Sequence, residues 1–259
     1  MQNPVIVIPG ITATDLFDDY PLKRDAVWSI LLNKEYERIA LHPDDLRYEA
    51  VEPSRVLAGE AFEIYDDLVK ALRHELEERA DKPTPVFLFP YDWRVDVRET
   101  AGELAAFVEE VLGRTRLLKH YDPDQVTRVD LVGHSMGGLV ITEYLAQAGP
   151  AAPVGKIATL GTPFLGSIEA VVKITTGMSL LSGKVPKERE RKAARLTPAV
   201  YQLFPTFPGA AVTDDGKRAD LLKAETMQRS VVDSLVDFIA IYSRTRADER
   251  KAQARKALE

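Results

Sequence analysis

The stretch Gly133-His134-Ser135-Met136-Gly137-Gly138 constrains the fold of this chain more than any other. It follows a Val/Leu-rich run, Val126 to Val132, and leads into a helical pattern through Leu139, Val140, Tyr144 and Leu145. A strand that becomes a helix within so few residues brings two backbones too close for side chains. Gly133 and Gly137, on either side of the serine, meet that requirement. Ser135 is then expected in a strained backbone conformation, with its hydroxyl pushed out at the top of a sheet. The other reading of the pentapeptide is a Ser/Gly-rich helix N-cap. The strand before it and the helix after it favour the sharp turn.

Other segments supply a sheet for that turn. Val5-Ile6-Val7-Ile8, Val86-Phe87-Leu88-Phe89 and Ile157-Ala158-Thr159-Leu160 are continuous β-rich runs, as expected of parallel strands covered on both faces. The Val126–Val132 run is less uniform, because Thr127, Arg128 and Asp130 interrupt it. Helical stripes separate the strands: Ile64, Leu68, Val69, Leu72 and Leu76, then Leu104, Phe107, Val108, Val111 and Leu112. Strand–helix alternation predicts right-handed βαβ units. The expected fold is α/β, a three-layer sandwich with four core strands in a mostly parallel sheet.

The long link between the first two strands carries Trp28, Ile30, Leu31 and Leu32, a turn-rich stretch at His42-Pro43-Asp44-Asp45, and a candidate hairpin strand at Arg47–Val51. With no repeat and no low-complexity linker, residues 1–259 read as one domain. Residues 167–217 read as a cap-like insertion with apolar patches, ordinary core helix being the alternative. Residues 218–259 lack Gly and Pro. Met227, Val231, Leu235, Ile239 and Tyr242 recur there at helical spacing, which predicts one long C-terminal helix.

Composition removes several function classes. The formal net charge of −6 argues against a nucleic-acid partner, which would call for a basic patch. The absence of cysteine excludes disulfides, thiol catalysis and cysteine-ligated metals. No His/Asp/Glu cluster has metal-ligand spacing, so neither metal nor cofactor is expected. No apolar run reaches the roughly 20 residues that span a bilayer. Met1-Gln2-Asn3-Pro4 has no basic n-region, which leads to the expectation of a cytoplasmic protein.

A serine hydroxyl is a weak nucleophile at neutral pH. It needs a base, an orienter for that base, and N–H donors aimed at the developing oxyanion. In a strand–serine–helix turn one donor is the amide that follows the serine, here Met136. The other comes from the loop after the first strand, Pro9-Gly10-Ile11-Thr12, with the Ile11 amide as the candidate. An ordinary turn is the alternative for Pro9-Gly10. His134 adjoins the serine on so tight a turn that the two side chains point apart, so it is expected to be structural.

Five segments together resemble the lecithin:cholesterol acyltransferase-like branch of the α/β-hydrolases. They are Pro4–Ile11, Pro90-Tyr91-Asp92-Trp93-Arg94, Gly133–Gly138, Leu160–Ser167 (L-G-T-P-F-L-G-S) and Tyr201–Pro205. The Pro-Tyr-Asp-Trp-Arg piece is the most specific of them. The resemblance implies Ser135 as nucleophile of an acyl-enzyme mechanism on lipid or other acyl esters, and Ile11 and Met136 at the oxyanion hole. It also implies that the four strands lie in the spatial order second, first, third, fourth, and that the cap makes transient contact with a membrane surface. Asp92, Trp93 and Arg94 follow a strand on the side where α/β sites are built. A buried Asp–Arg pair that holds the loop is preferred to a direct part in the chemistry.

The family pattern fails in one place. It implies an Asp and then a His, each after a further strand beyond the serine. This chain has four histidines, His42, His74, His120 and His134, none of them well beyond Ser135. Asp214-Asp215-Gly216 is the nearest acidic match. Three explanations remain: a fold truncated relative to the family, the preferred one; a base from His42 or His120; or a non-catalytic relative that binds acyl ligands or a partner. An uncovered sheet edge at Ile157–Leu160 is the expected sign of the first.

Overall fold

Val5–Ile8 (β1) is a short run of β-branched residues, all buried, at the centre of a four-stranded parallel sheet. The structure is a computed structural model that describes residues 2–18, 23, 25–29, 33–36, 38, 39, 51–56, 64–77, 79, 81–178 and 187–242. The chain divides into two compact units. The first holds Met1–Asp18, Arg24–Lys34 and Glu52–Pro163; the second holds Asp19–Lys23, Glu35–Val51 and Phe164–Glu259.

In the first unit, β1 is followed by β2 (Thr14–Asp18), β3 (Asp25–Ser29), β4 (Asn33–Lys34), β5 (Val51–Val56) and helix α1 (Ile64–Glu75). Then come β6 (Val86–Leu88), α2 (Val97–Arg116), β7 (Val129–His134), α3 (Met136–Ala148) and β8 (Val154–Leu160). The parallel sheet has the order β6-β1-β7-β8, which is the predicted order. Strand alternation sends Val5 and Val7 to one face. There they meet Tyr65 and Val69 of α1, with Val86 and Val132. Ile6, Ile8 and Leu131 alternate to the other face. The α2 and α3 stripes (Leu104, Val108, Val140, Ile141) are buried as well.

The polar interruption of the third run has a structural reason. Asp130 is buried and accepts from Gln2 Nε2 (2.9 Å), Asn3 Nδ2 (2.8 Å) and the Lys156 amide (2.9 Å). One carboxylate thus ties β7 to β8 and to the residues before β1.

Three expectations about the first unit need correction or completion. The link after β1 folds into a second, antiparallel sheet of order β4-β3-β2-β5, built from Thr14–Asp18 and Asp25–Ser29. Of the expected hairpin strand at 47–51 only Val51 lies within the described residues, and it opens β5. The fourth run is a strand, but it is not covered on both faces. β8 pairs with β7 alone among the described residues, and Ile157 and Leu160 are 46% and 43% exposed.

The second unit contains α4 (Ile168–Thr176), α5 (Glu188–Arg195), α6 (Pro198–Gln202), a two-stranded ribbon of β9 (Ala211–Val212) and β10 (Arg218–Ala219), and α7 (Arg229–Tyr242). The terminal helix begins at Arg229, not at 218. Arg218 and Ala219 are in the ribbon, and Asp220 then turns the chain: its carboxylate accepts from the Leu222 amide (3.0 Å) and its carbonyl from Thr226 Oγ1 (2.5 Å). Such local side-chain bonds compete with helix. Met227 therefore precedes the helix, while Val231 and Val236 are buried on it.

Candidate active site

Ser135 stands between the last residue of β7 and the first of α3, with φ 51° and ψ −122°. A non-glycine residue at positive φ is strained, by about 1–3 kcal/mol. The surrounding packing enforces it. A Cβ on Gly133 would lie 2.7 Å from the Gly138 amide, and one on Gly137 would lie 2.2 Å from the Ile8 carbonyl oxygen. The Ser135 amide donates to the Leu160 carbonyl of β8 at 2.9 Å. Ser135 is half-buried, and no described residue hydrogen-bonds its hydroxyl.

The loop after β1 lies against this turn. A Cβ on Gly10 would come within 3.1 Å of Ser135 Cβ and 3.2 Å of His134 Nδ1. The loop is a β-turn closed by the Ala13 amide on the Gly10 carbonyl at 3.3 Å. Thr12, its third residue, has φ 68°. Positive φ at that position marks a type II turn, where glycine or asparagine is usual.

Four aromatic side chains clamp the same loop. Tyr91 Oη donates to the Pro9 carbonyl (2.9 Å), and the Gly10 amide donates to Tyr65 Oη (2.9 Å). Trp28 Nε1 donates to the Thr12 carbonyl and Trp93 Nε1 to the Thr14 carbonyl, both at 3.1 Å. The two indoles pack with centroids 5.1 Å apart. Burial raises the Tyr65 and Tyr91 pKa values, so both phenols keep their protons. Neither the Ile11 amide nor the Met136 amide donates to any described residue. The first amides of a helix have no intrahelical partner, which accounts for Met136.

Asp92 and Arg94 form a buried ion pair. Arg94 is 1% exposed; its Nη2 lies 2.6 Å from Asp92 Oδ2, and its Nε and amide both reach Oδ1. Asp92 closes this fork on its own loop. Trp93, between them in the chain, donates to the Thr14 carbonyl.

The histidines separate clearly. His134 Nδ1 lies 2.6 Å from Tyr65 Oη, so its ring faces α1. Burial lowers its pKa and keeps it neutral. His74 lies nine residues along α1 from Tyr65, about 14 Å of helix away. His120 lies between α2 and the start of β7, at the opposite end of that strand from Ser135. His42 lies outside the described residues. In the second unit, Asp215 is occupied within its own turn by Thr213 Oγ1 and by Lys217 Nζ at 2.6 Å.

The sequence model of lecithin:cholesterol acyltransferase matches residues 45–240, about three quarters of the chain. The chain belongs to the lecithin:cholesterol acyltransferase family. A phosphatidylcholine-sterol acyltransferase of Gallus gallus is 31% identical over 123 residues, 45% of this chain and 27% of the chicken protein. The chain thus spans about a quarter of the length of the curated relative it matches. Among solved structures, the Tle4-Tli4 complex contains a chain that superposes with a TM-score of 0.68 at 15% identity, covering 99% of this chain and 70% of that one. A Bacillus licheniformis lipase, BlEst2, matches more loosely, with a TM-score of 0.39 at 14% identity, covering 79% of this chain and 55% of the lipase.

Both the Pro90–Arg94 piece and the Gly133–Gly138 turn lie inside the family match, whereas Pro4–Ile11 lies outside it. Sequence reasoning missed Tyr65 and Trp28. Tyr65 stood unremarked in an amphipathic stripe, and Trp28 in a link without assigned strands. Their polar handles were the only available signal, since a buried Tyr or Trp usually has a hydrogen-bond partner.

Proposed function

We propose that this chain is a serine-dependent lipid esterase or O-acyltransferase that works through an acyl-enzyme on Ser135. In this reading Ser135 Oγ attacks the ester carbonyl, its proton passes to a base that none of the described histidines supplies, and that base returns the proton to the departing alcohol. The acyl group then passes to water or to an acceptor alcohol. The Met136 and Ile11 amides donate to the tetrahedral oxyanion, a contribution of about 3–4 kcal/mol per donor in a serine protease. The observation that carries this reading is the backbone of Ser135: a positive-φ serine at the tip of a strand–helix turn, beside a clamped loop whose Ile11 amide is unbonded. Family membership and the acyl donor named for the chicken relative support a phospholipid ester as substrate. Phe164, Leu165 and Ile168, each more than half exposed in the second unit, support contact with a lipid surface.

A second reading, a non-catalytic acyl-binding relative, is favoured by one observation. The second unit holds a cavity of about 290 Å³ among Val171, Ile174, Phe204, Met227 and Val231. Fluorophosphonate labelling of the 259-residue chain, read by intact mass, tests the first reading. Label on Ser135 that Ser135→Ala abolishes requires a base within these residues and supports the acyl-enzyme. An unlabelled, folded chain means that the base is not within these residues, as both the truncated fold and the acyl-binding relative require.

A further inference from the structure

We propose that Tyr65 and His134 form a fixed strut that takes the Gly10 amide out of use and so leaves the Ile11 amide as the loop's donor to the oxyanion. The inference rests on the acyl-enzyme reading for its purpose, though not for its geometry.

The direction of each bond follows from what each atom can do. The Gly10 N–H can only donate, so the Tyr65 oxygen accepts it at 2.9 Å. The phenol proton is then free to reach His134 Nδ1 at 2.6 Å. A neutral imidazole that accepts at Nδ1 carries its proton at Nε2. The chain of donation therefore runs from Gly10 through Tyr65 to His134, one residue from the serine. The rings meet edge to face, with centroids 5.7 Å apart at 72°.

Two amides of the turn lie on the segment that packs against Ser135, those of Gly10 and Ile11. Gly10 packs directly on the serine, since a Cβ there would lie 3.1 Å from Ser135 Cβ. Tyr65 occupies its N–H, so that amide is not available to a ligand at the serine. The Gly10 peptide plane is held at its N–H by Tyr65, and the preceding carbonyl, that of Pro9, is held by Tyr91. Ile11 is the next amide along, and it is unbonded. Tyr65 and His134 are thus positioning residues, acting through Gly10. The histidine that precedes the serine is used to set the loop and not to take the serine's proton.

The test uses nitrogen NMR of the full chain, with Ser135→Ala run in parallel so that the readout is independent of turnover. The strut predicts a neutral His134 protonated at Nε2 and a slowly exchanging Gly10 amide in both proteins. In Tyr65→Phe the Gly10 amide exchanges on the order of tenfold faster, since its hydrogen bond is gone. The His134 pKa rises, because a donor to its neutral form has been removed. His134→Asn, whose amide oxygen can stand in for Nδ1, keeps Gly10 protected, and His134→Leu does not. Fluorophosphonate labelling of Ser135 slows roughly tenfold to a hundredfold in Tyr65→Phe, as for a misplaced donor. An Nδ1-protonated His134, or Gly10 exchange unchanged in Tyr65→Phe, overturns the strut. Labelling unchanged in Tyr65→Phe overturns its role in selecting Ile11. A parent chain that takes no label counts against the acyl-enzyme alone, and the NMR arms still decide the strut.

Discussion

The Tyr91 hydroxyl donates to the Pro9 carbonyl at 2.9 Å, and Tyr91 is fully buried. This bond joins the most family-specific sequence piece to the loop that lies over Ser135. Phenylalanine at 91 would keep the ring and delete the donor, leaving a buried carbonyl unpaired. An unpaired buried acceptor costs about 1–3 kcal/mol. Tyr91→Phe should therefore lower the unfolding free energy in urea by that amount. A midpoint equal to that of the parent would mean that the carbonyl finds another partner.

Asp92 and Arg94 form an ion pair buried in their own loop, and a substitution can tell a structural role from a chemical one. Asp92→Asn removes the charge opposite an Arg94 side chain only 1% exposed. Breaking a buried pair on one side costs about 3–5 kcal/mol. We expect a large drop in urea stability, with Ser135 labelling lost only in step with folding. Loss of labelling at unchanged stability would instead put Asp92 in the reaction.

Thr12 holds φ 68° with a β-branched side chain. The left-handed region costs such a residue about 1–2 kcal/mol. Glycine removes that strain but adds about 0.5–1 kcal/mol of chain entropy to the unfolded state. Thr12→Gly should thus stabilise the protein by roughly 0.5–1 kcal/mol. Calorimetry at neutral pH reads this as a higher Tm. A lower Tm would mean that the threonine side chain itself holds the turn.

The parts of the fold that were legible in the sequence are those written in periodicity. β1, β6, β7 and β8, α1, α2 and the turn at Ser135 all follow from apolar runs, helical stripes and glycines, while the order of the strands came from the family resemblance. The parts that were not legible depend on partners distant in sequence. The second sheet is built from short strands such as Thr14–Asp18, whose polar residues mimic a loop. The uncovered edge at Ile157–Leu160 was legible only through the family pattern, which places a further strand beside it; the apolar run itself reads as covered. The clamp on the Pro9–Thr14 loop draws on residues 28, 65, 91 and 93, each reading locally as core. The start of α7 at Arg229 was hidden because Asp220 ends the helical pattern through a side-chain bond and not through Gly or Pro.

Glu190 is the residue through which acid should reach the second unit. Its side chain is 3% exposed and pairs with Lys173 Nζ and with Lys187 Nζ at 2.9 Å. Burial alone would raise its pKa; the hydrogen bonds from Lys173, Lys187 and Tyr36 outweigh it and bring the value down to about 2 from 4.5. Tyr36 is pushed up in turn, by burial first and then by its bond to Glu190, so it remains a donor. A depressed carboxyl pKa stabilises the fold in full above the unfolded value. The contribution is lost as pH falls from about 4.5 toward 2. Each pKa unit is worth 1.36 kcal/mol, which sets an upper bound of about 3 kcal/mol for this group. Hydrogen exchange of the α4 and α5 amides should therefore accelerate between pH 5 and 2 in the parent beyond the intrinsic pH effect. In Glu190→Gln those amides should already exchange faster at pH 6, because Lys173 and Lys187 lose their counter-charge, and they should show little further change on acidification. A parent and a variant with the same pH profile would show that other carboxylates govern acid unfolding of this unit.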